Sequence, residues 1–121
     1  MTKVQFNSFK KSETSKTGYK LAVGSPMFDK NIYMLLPHYV HGRSPAFSLV
    51  AKGKHLSGFY PTGQQGFFIG DHDKRALVLI QTGSGLDLFK FELAPIEARQ
   101  MLLDGKLNDM MFQARREADS L

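Results

Sequence analysis

The sequence predicts an α+β fold: a curved antiparallel β-sheet or small barrel of six to seven strands, followed by a C-terminal broken helix or helix pair. Three observations predict it. Short alternating or apolar segments recur between Gly-, Pro- and Asp/Asn-rich turns from residue 4 to residue 93. No helical segments lie between them, and a parallel crossover sheet would need such helices. From Ala94 the hydrophobic period changes from two to that of a helix.

The elements follow in order. Val4 and Phe6 alternate with Gln5 and Asn7, the run from Lys10 to Gly18 holds no apolar residue, and Tyr19, Leu21 and Val23 resume period two. This reads as a β-hairpin joined by a basic loop, Lys10 to Lys16. Gly24-Ser25-Pro26 breaks the second strand and Asp29-Lys30-Asn31 supplies a turn before a third, Ile32 to Leu36, which Pro37 ends. Ala46 to Ala51 forms a fourth. Gly53 and Gly58 flank a short piece that ends at Phe59-Tyr60-Pro61, and pairing that continues through Gly53 would put Lys52 and Lys54 on one side of a strand. Phe67 to Ile69 and Arg75 to Gln81 flank the polar turn Asp71-His72-Asp73-Lys74 and make a tight hairpin. After Thr82-Gly83-Ser84-Gly85 the segment Leu86 to Leu93 alternates, with Phe89, Phe91 and Leu93 on one face and Leu88, Lys90 and Glu92 on the other.

Pro95 suits the first turn of a helix, Glu97 favours its N-terminal dipole, and Ala98, Met101 and Leu102 form a stripe that Gly105 ends. Asn108 or Asp109 caps a second helix running to Leu121. Within it Leu107, Met111, Ala114, Ala118 and Leu121 fall at spacings of four, three, four and three. That is the pattern of a helix meeting another helix, so these five are candidate dimer-interface residues of a homodimer. The same stripe would also serve to pack on the chain's own sheet.

At 121 residues the chain is a single domain, 1–121, with a basic β-rich half at 1–60, a strand region at 61–93 and C-terminal helices at 94–121. It contains no cysteine, which removes disulfides and thiolate metal sites and suits a reducing compartment. The N-terminal segment has no signal-like apolar stretch and the longest aliphatic run, Ala76 to Ile80, is too short to cross a bilayer. The expectation is a cytoplasmic protein with no membrane partner.

Charge is distributed unevenly. Residues 1–60 carry nine Lys/Arg against Glu13 and Asp29, a net +7, whereas residues 61–121 carry seven against nine, a net −2. The excess therefore belongs to the half written in aromatic-bearing strands. Cations for phosphates and flat rings for bases are what a single-stranded nucleic acid requires of a sheet. The candidate nucleic-acid-binding residues are Lys10, Lys11, Lys16, Tyr19, Lys20, Tyr33, Arg43, Lys52, Lys54 and Tyr60, on a concave basic face that binds single-stranded DNA or RNA with little sequence specificity. Duplex is disfavoured because no basic recognition helix and no zinc-finger spacing is present.

Two other classes remain in view. A small regulator or inhibitor docking its basic face on an acidic protein partner would use the same charge, with Met110 and Met111 as adaptable contacts. A small nuclease would draw on His38, His41, His55 and Arg43. The spacing of His38 and His41 suits a helix, which Pro37, Gly42 and Pro45 argue against, so no metal ligand set is assigned. Asp71-His72-Asp73 reads as a turn and Gly83-Ser84-Gly85 lacks the nucleophile-elbow pattern. There is no Walker loop or dinucleotide fingerprint, so no catalytic residue, metal or cofactor is expected.

Overall fold

A computed structural model describes residues 4–11, 18–24, 33–39, 45–51, 54–83 and 85–119. Eight antiparallel strands follow one another around a closed barrel: β1 (Val4–Lys11), β2 (Tyr19–Gly24), β3 (Tyr33–Tyr39), β4 (Pro45–Ala51), β5 (Lys54–Pro61), β6 (Phe67–His72), β7 (Arg75–Gln81) and β8 (Gly85–Phe91). Helices α1 (Pro95–Leu103) and α2 (Asn108–Asp119) complete the chain. Each strand pairs with the next, and β8 returns to β1 with Val4 opposite Phe91 and Lys10 opposite Gly85. Closure removes the exposed sheet edges that an open meander would leave.

The strand count exceeds the six to seven expected from the sequence. The short piece flanked by Gly53 and Gly58 belongs to a full strand, β5, whose internal Gly58 hides it from a propensity reading. Ala51, the last residue of β4, pairs with Lys54, the first of β5, and Lys52 and Gly53 lie outside the described residues.

Two cores form because strand side chains alternate. Phe9, Leu35, Phe47, Leu49, Phe59, Phe68, Leu77, Leu79, Leu86 and Leu88 point inward and fill the barrel. The rings of Phe47 and Phe68 meet there edge to face at 5.0 Å. On the outer side, Phe6, Val78, Ile80, Phe89 and Phe91 meet Ala98, Leu102, Leu107, Met111 and Ala114 from the helices. The continuous aliphatic run of β7 is thereby explained, since Leu77 and Leu79 face the interior while Ala76, Val78 and Ile80 face the helices.

Local chemistry sets the turns and ends. Asp73 and Lys74 both adopt left-handed backbone, φ 53° and 63°, as a two-residue hairpin turn between β6 and β7 demands. In α1, Pro95 opens the first turn and Gly105, at φ 77°, closes the helix. The amide of Gly105 donates to the Leu102 carbonyl and that of Lys106 to Met101, the Schellman arrangement. The reversal returns the chain for α2, which Arg115 pins to the barrel: its Nε donates to the Asp87 carboxylate at 2.9 Å and its guanidinium lies 5.0 Å from the centre of the Phe89 ring. Among the described residues no helix is long and apolar enough to cross a membrane.

The expected dimer seam is corrected here. Leu107, Met111 and Ala114 are 0%, 2% and 6% exposed, buried against the chain's own barrel. Helical period fixes which residues share a face, and here the barrel wall, not a second helix, covers that face. Ala118 lies in α2 with its side chain outside the described residues, and Leu121 lies wholly outside them. Among the described residues, the large apolar side chains left outward on the helices are Ile96, Leu103 and Phe112.

Candidate functional site

The helices pack on β1, β6 and β7, so the outer surface of β3 and β4 lies on the opposite side of the ring. Leu35 and Leu49 point inward, which turns their neighbours Met34, Leu36, Ser48 and Val50 outward. The register then defines a row across five strands. Lys10 faces Lys20, Lys20 faces Met34, Met34 faces Val50 and Val50 faces His55. At the usual strand spacing the row spans about 19 Å. Its ends are Lys10 and His55, both exposed.

The Lys10–Lys20 pair is electrostatically unusual. Residues directly opposite on antiparallel strands hold their Cβ atoms about 4.5–5.5 Å apart, and like charges there are unfavourable. Both lysines are exposed, and among the described residues neither forms an ion pair. On the β2 side there is no counter-charge, because residues 30–70 contain no Asp or Glu while carrying Lys30, Arg43, Lys52 and Lys54, and on the β8 side Asp87 is engaged by Arg115. Such a surface gains by meeting an anion.

Tyr60 stands at the upper end of the same face. It is 56% exposed, and its ring lies over Gly58: a Cβ added at Gly58 would sit 3.5 Å from the ring's Cε2 and hydroxyl oxygen. Beside it, β5 and β6 pair only through Tyr60–Ile69 and Pro61–Phe68. Beyond those pairs the seam opens into a groove of about 410 Å³ whose wall includes His55, Tyr60, Asp71 and Pro95. Its floor is glycine backbone. A Cβ on Gly70 would come within 2.5 Å of the Gly58 carbonyl oxygen, so the two strands approach as only glycine permits.

The sequence-selected residues divide as follows. Lys10, Lys20 and Tyr60 lie exposed on the outer face, and Lys11 and Lys54 are exposed at opposite ends of the barrel. Tyr19 is removed from the candidate set: it packs against the interior cluster with its ring 6.4 Å from Phe47. It precedes Lys20, so strand alternation sends it to the opposite side of the sheet. Tyr33 lies in β3 and His38 likewise, with their side chains outside the described residues, and Lys16, Arg43, Lys52 and His41 lie wholly outside them. Of the set considered for a nuclease, only His55 has a described side chain. The face is also convex, not concave, because it is the outside of a closed barrel. Sequence reading missed Met34, Val50 and His55 as members of the row and Asp71 as a groove residue. Only the acid-free stretch from residue 30 to 70 could have marked this surface in advance. The chain matches no described protein family, and no curated protein or solved structure is similar to it.

Proposed function

We propose that the protein binds single-stranded nucleic acid on the outer face of β1 to β5, with Lys10 and Lys20 on phosphates and Tyr60 beneath a base. The Lys10–Lys20 cross-strand pair, beside strands β2 to β5 that hold no carboxylate, carries the reading. Met34, Leu36 and Val50 are half-buried on that face, giving bases or sugars an apolar bed between the cations and the ring. An extended single strand can follow a convex sheet, whereas a stiff duplex touches it over a short length.

Anisotropy of labelled single-stranded and duplex oligonucleotides at two salt concentrations provides the test. Single strands should bind more tightly, and changing Lys10 and Lys20 together to Ala should reduce the salt slope by about 1.4, that of two phosphate contacts. An unaltered slope removes the pair from the interface. The same half-buried aliphatic residues also favour a second reading, an acidic protein partner with apolar contacts of its own. In that case polynucleotides would fail to compete for the face.

A further inference from the structure

The groove between β5 and β6 has a built chemistry that the phosphate-binding row does not use. At about 410 Å³ it lies at the lower end of small-ligand site volumes, enough for one base and its sugar. Two features limit its occupant. The exposed ring of Tyr60 offers a flat apolar face above the Gly58 backbone. Asp71 has the same strand parity as Ile69, the partner of Tyr60, so its carboxylate is on the outer side with that ring and lines the groove. It is the acidic residue among those that line the groove, and a carboxylate accepts hydrogen bonds and donates none. Among the bases, guanine alone presents two adjacent donors, N1–H and N2–H, that match both oxygens of one carboxylate, while its face stacks on an aromatic ring.

We infer that the β5–β6 groove is a guanine-selective base site, in which the base stacks on Tyr60 and its N1–H and N2–H donate to the Asp71 carboxylate. The inference rests on the nucleic-acid reading of this face for taking the ligand as part of a strand, and it adds one selective position to otherwise unselective binding. His55 and Pro95 also line the groove. Gly70 lets β6 lie close to β5 beneath the groove, since any side chain there would collide with the Gly58 carbonyl.

The test uses free nucleotides and amide NMR of the whole chain, so that it does not depend on strand binding. Guanosine monophosphate should shift the Gly58, Tyr60 and Gly70 signals at concentrations at least tenfold below those needed for the adenosine, cytidine or uridine monophosphates. Asp71→Asn should abolish that preference and favour xanthosine monophosphate, whose N1–H and O2 match an amide, while Tyr60→Leu should weaken all of them. Equal response to the four nucleotides, no response to any, or a preference that survives Asp71→Asn would overturn the site. Parallel titration with a guanine-containing single strand separates the two proposals. Strand binding without guanine preference sinks the groove alone, and guanine selection by free nucleotide without strand binding sinks the phosphate row alone.

Discussion

Lys20 faces Lys10 across the β1–β2 ladder, so reversing its charge acts on folding and binding in opposite directions. Lys20→Glu converts a repulsive cross-strand pair into an attractive one and should raise stability by about 0.2–1 kcal/mol in chemical denaturation. The same variant should bind single strands more weakly and with a shallower salt slope. A variant that is both weaker in binding and less stable would show that Lys20 serves the fold. Tyr60 tests the other part of the face. Tyr60→Leu should cost about 1–3 kcal/mol of binding and leave the salt slope unchanged, since it removes a ring and no charge. Gly70 belongs to the fold itself: Gly70→Ala places a Cβ against the Gly58 carbonyl and should destabilise by about 1–3 kcal/mol, read as a lower denaturation midpoint.

Helix α2 is held to the barrel by burial and by the Arg115–Asp87 ion pair. Arg115 donates to Asp87, whose side chain is only 12% exposed, and stacks on Phe89. Arg115→Ala should therefore cost about 2–3 kcal/mol, because it leaves a largely buried carboxylate without its cation. Replacing Asp87 and Arg115 together by Leu should cost less than the sum of the single changes, and a double-mutant cycle reads the difference. The Schellman end at Gly105, the Pro95 start and the Asn108 start of α2 all follow from residue types visible in the sequence. The destination of the α2 stripe does not. Leu107, Met111 and Ala114 read equally as a seam for a second helix or for the chain's own sheet, and only the barrel wall beside them decides.

For the whole molecule, closure of β8 onto β1 joins residues about as far apart as the sheet allows, and all the ladders are antiparallel. Non-local pairing of this kind predicts slow folding, in the range of milliseconds to seconds by stopped flow. Protection should be uneven. β7 and β8 are flanked by strands and buried on both faces, so their amides should exchange most slowly, whereas Gly58 and Gly70 beside the opened β5–β6 seam should exchange early. The distribution of charge follows the same geometry, with the helices on one side of the ring and the acid-free strands on the other.

The sequence by itself determined the succession of antiparallel strands, the helix pair and its ends, and the concentration of positive charge in the first half, because turn chemistry, period and charge are local properties. Tertiary structure alone decided that eight strands close into a ring, that Tyr19 turns inward while Tyr60 stands out, and that Lys10, Lys20, Met34, Val50 and His55 form one row. Period gives the side of a strand on which a residue lies, but the sheet's register and closure decide what that side meets.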